Sequence, residues 1–188
     1  MYRVNEIFYS LQGEGFNTGR AAVFVRFAGC NLRCPFCDTD FTHGEPMSAE
    51  QIAERVFAYS TNPDTLIVLT GGEPSLQVDE PLIRLLHCHG QSVAIETNGT
   101  HPIPDTINWV TVSPKAGSTV VLTKADEVKV VLTLETQSLL DTWRQTIEAK
   151  HYYLQPCSCA NTDEVIAYIL KHPEWRLSLQ THKYLHIQ

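Results

Sequence analysis

Apolar and polar residues follow one another in blocks along this chain. Short runs rich in Val, Ile and Leu recur: AAVFVRFAG (21–29), TLIVLT (65–70), SVAIE (92–96), WVTV (109–112), EVKVVL (127–132), HYYLQP (151–156) and RLSLQTHK (176–183). Runs of this length and composition predict strands buried on both faces, the habit of parallel sheets. Several give way at once to Gly, Pro or polar residues. The first leads into a cysteine loop, the second into Gly71-Gly72-Glu73-Pro74, the third into Thr97-Asn98-Gly99 and the fourth into Ser113-Pro114-Lys115.

Helical patterns lie between these runs. Ser48 with Gln51 forms a capping-box signal ahead of Ile52, Val56 and Tyr59, which share a face. Asp79 can cap a helix carrying Leu82, Leu85 and Leu86. Leu139, Leu140, Trp143 and Ile147 mark a third helix. Asn161 with Glu164 opens a fourth, with Val165, Ile166 and Ile169 on its apolar side. HPIPDTIN (101–108) is too short and Pro-broken for a good helix. The alternation predicts an α/β fold with a curved, mostly parallel sheet, as one domain over residues 1–188. A complete eight-stranded barrel takes about 250 residues, so a TIM-type barrel here must be partial. Ligands in such folds gather beyond the carboxyl ends of the strands, which predicts that the polar segments face one cleft.

Composition narrows the function. The net charge of −7 supplies no basic footprint for nucleic acid. No apolar stretch approaches the roughly 18 residues of a membrane span, and MYRVNEIFYS lacks the sections of a signal peptide. Six cysteines in such a chain fit a reducing cytoplasm better than a disulfide framework.

The cysteines carry the chemistry. Cys30, Cys34 and Cys37 stand in the spacing C-x3-C-x2-C. Each iron of a [4Fe–4S] cluster takes one ligand, usually Cys, so three thiolates leave one iron open to a small molecule. Zinc is the alternative, with His43 as a fourth ligand; free thiols are another. Gly71-Gly72-Glu73-Pro74 follows a strong strand, with glycines that permit close backbone approach and a Glu that can accept from a cation.

In this order, the cysteine loop and GGEP string resemble the radical S-adenosylmethionine (SAM) enzymes. The resemblance implies a radical SAM core in which the three cysteines bind a [4Fe–4S] cluster and SAM chelates the open iron. Further strings are similar to the family of 7-carboxy-7-deazaguanine synthases of queuosine biosynthesis: Ser10-Leu11-Gln12-Gly13-Glu14-Gly15, Cys37-Asp38-Thr39, Thr70, Glu96-Thr97, Ser113-Pro114-Lys115, Gln155-Pro156 and Gln180-Thr181-His182-Lys183-Tyr184-Leu185. That likeness runs from residue 5 to the C-terminus.

It implies a ring-contracting lyase that converts 6-carboxy-5,6,7,8-tetrahydropterin to 7-carboxy-7-deazaguanine and ammonia. On it, Phe36, Cys37, Asp38, Gly72, Glu73, Ser113, Pro114 and Lys115 bind SAM. Leu11, Gln12, Gly13, Glu14 and Thr70 line the pterin pocket, and the Arg26 fork meets the substrate carboxylate. Thr39 holds a Mg²⁺ ion shared with substrate. Gln155 and the Gln188 carboxylate are further candidates. A reductase such as a flavodoxin or ferredoxin supplies electrons. The chain is short for the family, with little to shield the cluster between Cys37 and Thr70, which points to a homodimer or to reductase docking over that face.

Other residues are set aside. Cys88, in HCHG, is expected to be packing, with His87 and His89 on different helix faces. Cys157 and Cys159 make a C-x-C pair too small for a metal site. Two rival readings remain. One is a glycyl-radical-enzyme activase, which would need an open face rather than a pterin pocket. The other is a zinc-stabilised binding module without catalytic function.

Overall fold

The computed structural model of the chain describes residues 1–37 and 40–188. In chain order its elements are β1 (Tyr2–Leu11), β2 (Ala21–Phe27), β3 (Glu45–Met47), α1 (Ala49–Tyr59), β4 (Leu66–Gly71), α2 (Glu80–Leu86), β5 (Val93–Thr97), β6 (Trp109–Val112) and β7 (Lys124–Leu132). There follow α3 (Leu134–Gln137), α4 (Leu140–Thr146), β8 (Glu148–Pro156), α5 (Thr162–Lys171), β9 (Arg176–Leu177) and α6 (Thr181–Leu185).

The strands form one sheet in the order β3-β1-β2-β4-β5-β6-β7-β8-β9. From β2 to β9 every pairing is parallel, while β1 runs antiparallel to both its neighbours. Each parallel strand lies beside the next in sequence, so the sheet is wound in one sense, as in a barrel. Among the described residues its two edge strands do not pair, which leaves the barrel partial. Right-handed crossovers then put the connecting helices on one side. There, Ile52 and Val56 of α1 and Leu82, Ile83 and Leu86 of α2 pack on Val23, Val25, Phe27, Ile67 and Leu69. Leu140 and Trp143 of α4 and Val165 of α5 cover Val128, Val130 and Leu154. The connections 98–108 and 113–123 carry no helix.

The inner face changes character along each strand. Phe24, Leu66, Val68 and Ala94 pack there with Phe8 and Trp109. Two residues beyond Phe24, Val68 and Ala94 come Arg26, Thr70 and Glu96. The strands are therefore apolar where they enter the sheet and polar where they leave it, so they are not buried on both faces throughout.

Local capping sets the helices. Ser48 and Gln51 make the expected reciprocal capping box of α1, and Asp79 caps α2 through the Leu82 N–H. Asn161 departs from expectation: it occupies the N-cap position of α5 without capping it. Its side chain instead accepts from the Cys157 N–H at 2.8 Å and donates to the Leu132 carbonyl at 3.0 Å. Ile166 is exposed rather than packed. The run 176–183 is a strand only at Arg176–Leu177, and its end turns into α6. Cys88 lies past the end of α2 and is exposed, contrary to the packing role expected of it. Both His87 ring nitrogens face backbone carbonyls, of Gln91 at 3.1 Å and Thr106 at 3.0 Å, and so are already engaged.

β1 and β3 lie outside the predicted strands. β1 carries a register shift between Val4 and Glu6. A bulge there inverts which residues face which side: Tyr2 and Val4 join the helix-side core, whereas Phe8 joins the inner one.

Candidate active site

A cleft of about 720 Å³ opens at the carboxyl ends of the parallel strands. It gathers Leu11, Gln12, Gly13 and Glu14, then Arg26, Cys30, Cys34, Phe36 and Cys37. Thr70, Gly72 and Glu73, and Ser113, Lys115, Gln155 and Gln188, complete the expected set that lines it. Pro114 is buried and is not among the lining residues. Asp38 and Thr39 lie outside the described residues.

One end of the cleft belongs to the cysteines. β2 delivers the chain into the loop, and the turn from β4 braces it backbone to backbone. The Gly72 N–H donates to the Phe27 carbonyl at 2.9 Å, and the Glu73 N–H to the Gly29 carbonyl at 2.9 Å. A Cβ on Gly72 would lie 2.0 Å from the Gly29 carbonyl oxygen, so this corner requires glycine. Glu73 is buried and turned inward. It accepts from the Thr97 hydroxyl at 2.6 Å, the Asn98 N–H at 2.7 Å and the Ser75 N–H at 3.0 Å. Asn98 in turn donates to Asn31 of the cysteine loop at 3.0 Å, tying β5 to it. Asn31, Asn98 and Ser75 were not singled out as site residues, because their roles depend on which strands are neighbours.

Cys30 and Cys34 line the cleft half-buried, and burial pushes both thiols up, opposed at Cys34 by the nearby Lys115 ammonium. Lys115 donates to the Ser113 hydroxyl at 2.6 Å and sits over the Phe36 ring, 5.9 Å from its centroid. Burial lowers its own pKa. His43, the alternative fourth zinc ligand, is exposed outside the cleft, with its ring nitrogen 2.9 Å from the Thr42 hydroxyl. Among the described residues no group of His, Cys, Asp or Glu is already gathered into a metal cage.

The opposite wall is a network of charges. Lys129, projecting from the middle of β7, pairs with Glu14 and lies 3.3 Å from Glu96. Burial pushes the Glu14 carboxyl up. Lys129, the Gln180 amide and His182 outweigh that and hold it below the usual range. Burial likewise opposes the Lys129 charge, but Glu14, Glu96 and Glu127 raise its pKa overall. Glu96 also accepts from Gln12 at 3.2 Å and from the Thr70 hydroxyl at 3.1 Å. Two residues before Lys129, Glu127 accepts the Phe16 N–H at 2.8 Å. A Cβ on Gly15 would come within 2.1 Å of Glu127 Oε1. Burial pushes the Glu127 carboxyl up to about 6. The sequence offered no signal for Lys129 or Glu127 beyond two charges inside a strand-like run.

The end of the chain closes this wall. The Thr181 N–H and hydroxyl both donate to the Gly13 carbonyl at 2.9 Å. Gln180 donates to Glu14 at 2.9 Å, and the Ser178 hydroxyl bridges the Gly15 N–H and Gln155, each at 3.0 Å. The SLQGEG and QTHKYL strings thus form one clasp. Nearby, Arg26 donates through Nε to Glu6 at 2.8 Å, and Gln188 reaches Glu6 at 2.6 Å and Ser10 at 2.6 Å.

A thiol-lined mouth on an open, singly wound parallel sheet defines the class, and the radical SAM superfamily model matches residues 24–128, from β2 into β7. Over its full length the chain is 50% identical to the 7-carboxy-7-deazaguanine synthase of Bacteroides thetaiotaomicron, covering 100% of both. It is 44% identical to that of Burkholderia multivorans over 99% of each. The crystal structure of QueE from Escherichia coli superposes with a TM-score of 0.78 at 30% identity, over 95% of this chain and 93% of that one. The chain belongs to the 7-carboxy-7-deazaguanine synthase family of radical SAM enzymes.

Membership implies a [4Fe–4S] cluster and SAM. The donor set fits: three thiols reach one cleft end, with no fourth cysteine in the loop. Cys30 and Cys34, whose thiols burial pushes up, become ligands once a bound metal's charge displaces their protons. The cleft volume suits a small cofactor beside a small substrate. No helix among the described residues is long and apolar enough to cross a membrane.

Proposed function

We propose that this chain is a radical SAM lyase that contracts 6-carboxy-5,6,7,8-tetrahydropterin to 7-carboxy-7-deazaguanine with release of ammonia, a step of queuosine biosynthesis. The observation that carries this reading is the continuity of the cleft, from the cysteine thiols to the Glu14–Lys129–Glu96 wall. Cluster and SAM, when bound, supply a carbon-centred radical able to remove hydrogen from an unactivated carbon. The rest of the work is positioning and exclusion of water.

Cys30, Cys34 and Cys37 hold the cluster. Phe36, Cys37, Asp38, Gly72, Glu73 and the Ser113–Lys115 segment hold SAM. Arg26 takes the substrate carboxylate: its Nε is engaged with Glu6, while no hydrogen bond of its two terminal nitrogens occurs among the described residues. Gln12, Glu14 and Thr70 meet the polar edge of the pterin, with Leu11 and Gly13 beside them. Gln155 and Gln188 border the same space. Thr39 contributes its hydroxyl to a Mg²⁺ ion shared with substrate, an assignment that stands on the sequence likeness. A flavodoxin or ferredoxin delivers the electron over the exposed cysteine end. The enzyme acts as one domain per chain, in a homodimer, in the cytoplasm.

The test is anaerobic reconstitution followed by assay with SAM, a reductant, Mg²⁺ and the carboxylated tetrahydropterin. A deazapurine and an equivalent of ammonia are expected. Cleavage of SAM without that product would turn the assignment toward a glycyl-radical-enzyme activase. Zinc in place of iron and sulfide would turn it toward a structural metal module. Omission of Mg²⁺ tests the Thr39 assignment separately.

A further inference from the structure

We propose that Lys129 is a positioning residue of the pterin subsite, holding Glu14 and Glu96 as paired acceptors and so selecting a ligand edge with adjacent N–H donors; this rests on the function proposed above. The three side chains come from separate elements. Glu14 stands in the loop after β1, Glu96 near the end of β5 and Lys129 in the middle of β7. All three line the cleft, and Lys129 is only 5% exposed. One ammonium between two carboxylates leaves this triad with a surplus negative charge, and Lys183 borders it, donating to Gln180 at 2.8 Å. Arg26 lines the same cleft with the opposite charge. A ligand carrying a carboxylate at one end and N–H groups at the other is thereby oriented in one sense.

Without the ammonium, two nearby carboxylates in a buried setting would not both stay ionised. One would take a proton, and an acceptor would become a donor facing the ligand's own N–H groups. Lys129 also acts on the shape of the loop. It pairs with the Glu14 side chain while Glu127, two residues earlier on the same strand, accepts from the backbone of Phe16. The charged or titratable groups acting on Glu14 and its Lys129 partner are Glu96, Glu127, His182 and Lys115, with the neutral Gln180 amide, which accepts from Lys183 at 2.8 Å, completing the surround.

The experiment compares reconstituted natural chain with Lys129→Met, Lys129→Arg, Glu14→Gln and the Lys129→Met/Glu14→Gln double variant. The probe is 6-carboxypterin, whose fluorescence reports binding, titrated with cluster and SAM in place. Lys129→Met should weaken binding about tenfold or more, since it strands buried charges. Its remaining affinity should climb with pH more steeply than that of the natural chain, because burial then dominates the Glu14 carboxyl. Lys129→Arg should keep the natural chain's profile. The double variant should bind no more weakly than the worse single one, as expected of residues acting through each other.

Binding by Lys129→Met within about twofold of the natural chain, or a pH-independent loss that adds to that of Glu14→Gln, would overturn the inference. If Lys129→Met does not fold, the double variant, which carries one fewer stranded charge, decides. Affinity equal to that of Glu14→Gln supports the inference, and a further tenfold loss counts against it. Failure of the natural chain to bind the probe or to make deazapurine would instead count against the proposed function.

Discussion

The two ends of the cleft are built by different means. At the cysteine end the joints are largely backbone to backbone, between the corners of neighbouring strands: Gly72 on Phe27 and Glu73 on Gly29. At the opposite wall the joints use side chains and span most of the chain: Lys129 to Glu14, Gln180 to Glu14, Thr181 to Gly13. A backbone joint is indifferent to most side chains but cannot tolerate bulk at its glycine. A side-chain joint is sensitive to charge, to protonation and to the identity of each partner. In the function proposed above, the superfamily's common chemistry rests on the first kind of joint, and the selection of one substrate on the second.

That contrast can be broken in several ways. The largest effect is expected from Cys30→Ala, which should abolish bound iron, sulfide and all product formation while circular dichroism shows the fold retained. Next, Arg26→Ala should lower kcat/KM for the pterin by about 10- to 100-fold, the worth of a charge-assisted hydrogen bond, with cluster absorbance intact. Loss of the cluster would mean that Arg26 belongs to the cysteine end. Gly72→Ala should act through structure, costing about 1–3 kcal/mol in denaturant unfolding as the Gly29 carbonyl is driven back. It should also reduce iron loading, whereas pterin-wall variants should not.

The smallest effect concerns Glu127. A carboxyl raised on folding binds its proton more tightly in the native state. Its contribution to stability is therefore greatest at low pH and declines as pH rises from about 4.5 through about 6. Glu127→Gln should remove up to about 2 kcal/mol of that decline, at about 1.36 kcal/mol per pH unit between those two values. Urea unfolding of both proteins across that range checks it; parallel curves would show that the buried carboxyl is not strained by its site.

The same contrast explains what could be read in the sequence. The cysteine loop and glycine corner are each contiguous, so spacing alone announced them. The strands from β2 to β8, apart from short β3, were legible because each carries a run of apolar residues, branched aliphatic in most and aromatic in β8. α1 and α2 were legible because Ser48 and Asp79 cap them with their own side chains. β1 escaped because its bulge inverts the alternation that marks a strand. The run at 176–183 read as one strand, yet Ser178 and Gln180 turn from the sheet to hold the loop at 14–15. Lys129 and Glu127 looked like interruptions of an apolar strand. Their meaning depends on Gly15, Phe16 and Glu14, more than a hundred residues away in the chain.

The clasp between Gly13 and Thr181 has a consequence for the order in which the molecule is made. The backbone braces of the cysteine loop are encoded by residue 73 and its Asn31 anchors by residue 100, so that mouth can take shape while the ribosome is still extending the chain. The opposite wall must wait for residue 181, because its first strap and its last are separated by nearly the entire translation of the protein. On the function proposed above, the nascent chain thus acquires the means to hold its inorganic cofactor before it acquires the means to choose what that cofactor acts upon.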